Sequence, residues 1–269
     1  AYEIMHSLVG SEMCIRDSTM KIGIAGYGYV GQAHEAALKD YHEILISDPA
    51  LGHYADLKHA DAIIVCVSTP QHTSGSCNVN NVYEVIAAAP PVPILIKSTI
   101  SLEGWDVIRT DFVSANLTFS PEFLRAATAL EDFKNTTHFM MGGDGVGFWA
   151  DVLINAMGNI TIDNVSVSEL ILTKYFRNSF LATKVAFFNQ VYELCQTTRA
   201  DYKTVANHIG NDPRMGHRHT KITDERGFGG HCFPKDTSAL IKTAQTHNTQ
   251  LSILEEAVNY NNTLRKDTT

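Results

Sequence analysis

The sequence predicts an α/β fold, with a doubly wound sheet in the N-terminal half and an α-helical domain around one long central helix behind it. Three observations carry this. Short β-branched runs alternate with helical stretches from Lys21 to residue 142. A glycine-rich turn joins the first strand to the first helix. A stretch without Gly or Pro then runs from Ser166 to Ala200.

In chain order, a short β-type run at Lys21 leads into GYGYVG (26–31) and an Ala-rich helical stretch. EILIS (43–47) is a second strand ending at Asp48. DAIIVCVST (61–69) is a continuous apolar, β-branched run of the kind buried on both faces of a parallel sheet. PILIKST (93–99), NLTFS (116–120) and HFMMG (138–142) supply further strands. Behind them, Ser166 and Glu169 form a capping-box pattern at the head of the long helix. About 32 helical residues would span roughly 48 Å. Its apolar positions (Leu170, Ile171, Leu181, Val185, Phe187, Phe188, Val191 and Leu194) cover more than one stripe, so the helix is expected to contact the Rossmann-like domain and also a partner subunit in a homodimer. The expected domains are 20–165 for the sheet and 166–269 for the helices. Residues 1–19 stand apart: LVGSEMCIRDS looks like translated sequencing adapter, which makes Met20 the expected start.

Composition narrows the function classes. Across 269 residues, 44% are apolar, and 18 Gly with 8 Pro is ordinary usage, which excludes a disordered or collagen-like chain. With 29 acids against 21 bases, the net charge of −8 argues against a nucleic-acid binder. No run of 18 apolar residues offers a membrane span. The five cysteines, Cys14, Cys66, Cys77, Cys195 and Cys232, form no CxxC pair, which suits a reducing, cytoplasmic setting. His217 and His219 read as solvated loop histidines, so no metal site is expected.

Two segments carry chemistry. In GYGYVG, Gly26 would turn tightly, Gly28 would let the backbone approach a pyrophosphate, and Gly31 would let helix and strand pack closely, giving a Rossmann-like NAD site. Tyr29 and Val30 lie inside that turn. Asp48 follows Gly26 by 22 residues at a strand end, where a carboxylate accepts from a ribose 2′-OH and repels a 2′-phosphate, so NAD is favoured over NADP. In GFGGHCFPKD (227–236), a flexible glycine loop precedes Cys232, with Pro234 and Asp236 in a plausible first helical turn. A thiol there, near Lys235, is expected to have its thiolate favoured. Lys174 and Asn178 share a helix face, a spacing that equally fits a solvated lysine and an unrelated amide.

The chain resembles the UDP-glucose/GDP-mannose dehydrogenases through GYGYVG (26–31), CVSTP (66–70), KST (97–99), SPEFLRAATALEDF (120–133), KYFRNSFLATK (174–184), DPRMG (212–216) and GFGGHCFPKD (227–236). The resemblance implies oxidation of a nucleotide-sugar primary alcohol to a carboxylate by two hydride transfers to NAD. It makes Cys232 the nucleophile that forms a thiohemiacetal and then a thioester. Lys174 and Asn178 would stabilise oxyanion charge, Asp236 would hold a water, Glu122 would be the base for hydrolysis and Thr99 would orient water. Gly26, Gly28, Gly31, Asp48, Thr69 and Lys235 fall to the cofactor. Phe123, Leu124, Arg125 and Gly229 line the substrate groove, and Arg214 crosses a dimer interface to the partner's substrate. Members normally continue into a second Rossmann-like domain, so the resemblance leaves truncation, a separate chain supplying that domain, or a minimal form. Ser120 and His231 depart from the family pattern, as does the longer 214–227 loop. Two other readings remain: a single-step hydroxyacid dehydrogenase, for which Cys232 would be dispensable, and a catalytically silent NAD-binding module.

Overall fold

The computed structural model describes residues 19–265; the expectations for residues 1–18, Cys14 included, lie outside the described residues. Eight strands form one sheet: β1 (Lys21–Ala25), β2 (Glu43–Asp48), β3 (His53–Tyr54), β4 (Ala62–Val65), β5 (Ile94–Ile96), β6 (Leu117–Phe119), β7 (His138–Gly143) and β8 (Thr161–Asn164). Their spatial order is β3-β2-β1-β4-β5-β6-β7-β8. Strands β2, β1, β4, β5 and β6 pair in parallel, while β3 against β2 and β7 against β6 are antiparallel. The predicted strand at 61–69 stops at Val65, because Cys66 onward forms the loop that meets the glycine turn.

The chain divides into two compact units. The first comprises the described chain to Thr69, Val79–Thr99 and Asp106–Leu170; the second comprises Pro70–Asn78, Ile100–Trp105 and the chain from Ile171. The helical unit thus recruits two segments from within the expected sheet domain.

The first unit also holds α2 (Asn80–Ala88), and in it α1 (Tyr29–Leu38) packs against α4 (Ala129–Lys134) and α5 (Val146–Met157). Their apolar faces join β1, β4 and β5 in a core containing Ile22, Leu38, Ile64, Leu95, Phe133 and Trp149. The alternating burial expected of a one-sided sheet is absent from β4, whose four residues are all buried, because a central parallel strand is covered on both faces. Helix α3 (Leu102–Asp111) crosses the division.

The long helix α6 spans Val167–Thr198, 32 residues, matching the expected length, and belongs to the second unit from Ile171 onward. Its capping box forms: Glu169 N–H donates to Ser166 Oγ at 3.4 Å and Ser166 N–H donates to Glu169 Oε2 at 3.3 Å. Phe188 and Cys195 of α6 bury against Tyr202 and Ala206 of α7 (Tyr202–Gly210). Ala182 and Ala186 bury against Phe228, with Phe233 of α8 (Phe233–Thr246) and Ala257 of α9 (Ser252–Leu264) around them. Among the described residues no helix is long and apolar enough to cross a membrane.

Candidate active site

In the first unit the chain turns back at the carboxyl ends of β1 and β4, on either side of which the strand order reverses. Crevices at such points are where open α/β sheets take their ligands. The three motif glycines there have three different physical reasons. Gly26 has φ +89°, and a Cβ on it would lie 2.7 Å from the Cys66 carbonyl and the Val67 nitrogen. A Cβ on Gly31 would meet the Gly26 carbonyl oxygen at 2.3 Å, so the helix can start only if this position is glycine. A Cβ on Gly28 would meet nothing within 4 Å. Gly28 caps α1 in an extended conformation, on the exposed side of the turn, which suits backbone approach by a dinucleotide. Tyr29 is 36% exposed in the first turn, with Val30 half-buried behind it.

Asp48 ends β2 as expected, and its carboxylate fixes local backbone: Oδ2 accepts from Tyr27 N–H at 2.7 Å and Oδ1 from Leu51 N–H at 3.3 Å. A carboxylate has roughly four acceptor positions, so capacity for a ribose hydroxyl remains. Tyr27 also hydrogen-bonds Glu35 through its hydroxyl, which with burial pushes the phenol up to about 12. Thr69 is buried in the loop after β4, and Thr99 is half-buried in the loop after β5.

Glu122 lies in the turn after β6. Its Oε1 accepts from the backbone N–H groups of Phe123 at 2.8 Å and Leu124 at 3.1 Å. Its Oε2 faces Lys97 Nζ at 3.1 Å, and that ammonium also donates to Ser120 Oγ at 3.0 Å. Burial alone would raise the carboxyl; Lys97, His34 and the Phe123 N–H together bring it below its ordinary value. Leu124 turns its side chain to the core, leaving backbone to present outward. Arg125 is held bidentately by Asp132, at 2.9 and 2.5 Å. Sequence reasoning assigned Lys97 and His34 nothing, since neither pairing is local in sequence.

In the second unit, Cys232 caps α8, with Pro at its start and Asp236 in its first turn. Among the described residues it is the exposed cysteine, while Cys77 and Cys195 are buried and Cys66 is intermediate. Asn178 Nδ2 donates to Asp236 Oδ2 at 2.6 Å, so the amide of α6 reaches the turn that Cys232 opens. Asp236 is 1% exposed and its Oδ1 has no hydrogen-bond partner; Lys235 Nζ stands 3.9 Å from it. Lys174, one turn before Asn178, is buried. The structure therefore joins Asn178, Asp236, Lys235 and the Cys232 turn in one neighbourhood of the helical unit.

The glycine loop ahead of Cys232 is fastened by a residue that sequence reasoning passed over. Buried Asn261 accepts from Phe228 N–H at 2.6 Å and donates to Phe228 O at 3.0 Å. The Arg265 guanidinium lies where a Cβ on Gly229 would fall, at 2.6 Å. In DPRMG, Arg214 is exposed and paired with Asp212, with contacts of 2.5 to 3.1 Å. Lys184 donates to the carbonyls of Met215 at 2.7 Å and Gly216 at 3.2 Å, tying that loop to α6. No group of three His, Cys, Asp or Glu among the described residues is placed to hold a metal.

Comparison with known proteins shows the family. The model of the UDP-glucose/GDP-mannose dehydrogenase family NAD binding domain matches residues 51–146, and that of the family's central domain matches residues 168–263. The UDP-glucose 6-dehydrogenase of Rhizobium meliloti (strain 1021) is 31% identical over 92% of this chain and 68% of its own length. That of Rickettsia prowazekii is 32% identical over 77% of this chain, which spans 50% of that relative. In fold, the chain is similar to a UDP-glucose dehydrogenase from Pyrobaculum islandicum, with TM-score 0.78 at 23% identity, covering 95% of this chain and 70% of that one. It is also similar to the 3-hydroxyisobutyrate dehydrogenase of Mycobacterium tuberculosis, with TM-score 0.69 at 17% identity, covering 90% and 93%. The chain belongs to the UDP-glucose/GDP-mannose dehydrogenase family, with that family's NAD-binding and central domains in its two halves.

Proposed function

We propose that this chain oxidises the C6 alcohol of a nucleotide sugar to the carboxylate, in the manner of a UDP-glucose 6-dehydrogenase, through a thioester on Cys232. The observation that supports it most is the exposed Cys232 at the head of α8, beside the 2.6 Å contact of Asn178 with Asp236. NAD⁺ supplies the hydride acceptor for both oxidations, and the open space over Gly28 between the tightly packed Gly26 and Gly31 suits its pyrophosphate. We assign Asp48, Thr69 and Lys235 to the cofactor as well.

The chain's own residues then act in order. Cys232 Sγ, as thiolate, adds to C6 of the aldehyde formed by the first oxidation, and the carbonyl electrons become an alkoxide held by Lys174 and the Asn178 amide. Removal of the second hydride from C6 leaves a thioester. Water oriented by Thr99 attacks its carbonyl, Glu122 takes the water's proton, and the C–S bond breaks to return Cys232 as thiolate. Asp236, with an unfilled buried oxygen, holds a water at this centre. Phe123, Leu124, Arg125 and Gly229 shape the sugar-nucleotide groove.

We extend the reading to a cytoplasmic homodimer formed through α6, in which Arg214 of one protomer reaches the other's substrate. Phe176, Phe180, Phe187 and Leu194 are all exposed along that helix, with Phe180 at 69%. A single-step hydroxyacid dehydrogenase shares the fold, and Cys232 separates the two readings. The test is intact-protein mass spectrometry of Glu122→Gln turning over UDP-glucose with NAD⁺. The thioester reading expects a substrate-derived adduct that disappears when Cys232→Ser is combined with it. An unmodified chain in both variants, with turnover continuing, contradicts the reading.

A further inference from the structure

Lys97 is a buried charge that the mechanism above leaves unused. Pairing of Ile96 with Phe119 in β5 and β6 sets the residues just beyond them side by side, and Ser120 N–H donates to Ile96 O at 3.0 Å. Lys97 therefore emerges next to the Ser120 hydroxyl and two residues from Glu122. Its side chain is 2% exposed and that of Glu122 12%. A buried ammonium must be paired to be tolerated, and one with two oxygen partners has a fixed direction.

Several groups face Glu122 from the surrounding elements. Among the described residues they include Lys97 beyond β5, His34 on α1 and Cys66 beyond β4, with the Ser120 hydroxyl beyond β6 against Lys97. His34 is fully buried, its Nδ1 lies 2.9 Å from Val30 O, and burial and Lys97 hold its imidazole neutral down to about pH 4. Cys66 is kept as a thiol by burial. Around neutral pH neither His34 nor Cys66 carries charge, and the Lys97 ammonium, 3.1 Å away, offsets the burial that opposes the Glu122 carboxylate.

We propose that Lys97 is a positioning residue for Glu122, holding that carboxylate charged and aimed while fixing the 120–124 turn. Its consequence for thioester hydrolysis rests on the role of Glu122 proposed above; its hold on the carboxylate does not. Without the ammonium, burial would raise the Glu122 carboxyl, and a protonated Glu122 lacks the lone pair needed to accept a proton from water.

The test uses the 269-residue chain labelled with ¹³C at glutamate carboxyls, with the Glu122 signal identified by its loss in Glu122→Gln. In the wild type the signal titrates below the ordinary carboxylate range. Lys97→Met and Lys97→Gln should move its midpoint up by about one to three pH units, and Lys97→Arg should return it. Lys97→Gln keeps a hydrogen-bonding head, so it carries the test if Lys97→Met fails to fold. An unmoved midpoint in the folded neutral variants overturns the proposal. The acid limb of thioester breakdown should shift with the midpoint, while the first oxidation keeps its pH profile. If the midpoint moves and the breakdown limb stays, the hold of Lys97 stands and the base role of Glu122 falls.

Discussion

At the residue scale, the contact between Asn178 and Asp236 joins two roles that truncation can separate. On the proposed mechanism Asn178→Ala removes an oxyanion donor and is expected to lower kcat by about 10²–10³-fold. It also leaves buried Asp236 short of a hydrogen bond, which destabilises by about 1–3 kcal/mol. Steady-state kinetics and thermal melting should show both losses; a lower Tm with unchanged kcat would make Asn178 purely structural. His34 gives a second residue-level prediction. Its imidazole titrates at 6.5 ordinarily and at about 4 when folded, so the unfolded chain takes the proton first as pH falls. Stability is therefore whole above the ordinary value and declines from there towards pH 4, by about 3 kcal/mol at most. Urea melts at several pH values should show this slope reduced in His34→Gln, and equal slopes would contradict the assignment. Asp48 and Cys232 were legible in the sequence because each sits at a strand or helix end marked by its neighbours, whereas the Lys174–Asn178 spacing inside α6 decided nothing by itself. Lys97 and Asn261 were not, because their partners lie 25 and 33 positions away and only strand register or helix packing brings them together.

Among the elements, the turn from β1 into α1 offers the sharpest separation of folding from binding. Gly31→Ala forces a methyl against the Gly26 carbonyl and is expected to destabilise by about 1–3 kcal/mol. Gly28→Ala meets open space at an ordinary φ of −69°, so Tm should hold while NAD⁺ affinity falls. Calorimetric titration beside a melting curve checks the pair, and undiminished affinity in Gly28→Ala would remove the cofactor from that turn. The capping box of α6 is worth about 1 kcal/mol, so Ser166→Ala should lower Tm modestly without touching the site. The long helix and the α8 start could be read from caps and from the absence of breakers. The short edge strands β3 and β8 could not: TIDN is polar and mostly exposed, carrying no alternation to detect. The antiparallel entry of β7 was equally hidden, since an apolar run does not record its direction.

For the whole molecule, the apolar positions on α6 exceed what its own unit buries, as the sequence pattern implied. Phe180 and Phe187, seven residues apart, lie along one face and are both exposed. Light scattering should give a dimer for the wild type and a monomer for Phe180→Glu with Phe187→Glu, and a monomer for both would remove α6 as the interface. The central claim concerns the sulfur at the head of α8. Its most direct test counts NADH released per UDP-glucose consumed, in the wild type and in Cys232→Ser. The account predicts two NADH per sugar with the acid as product, and loss of that stoichiometry in the variant; one NADH per sugar, indifferent to the substitution, would contradict it.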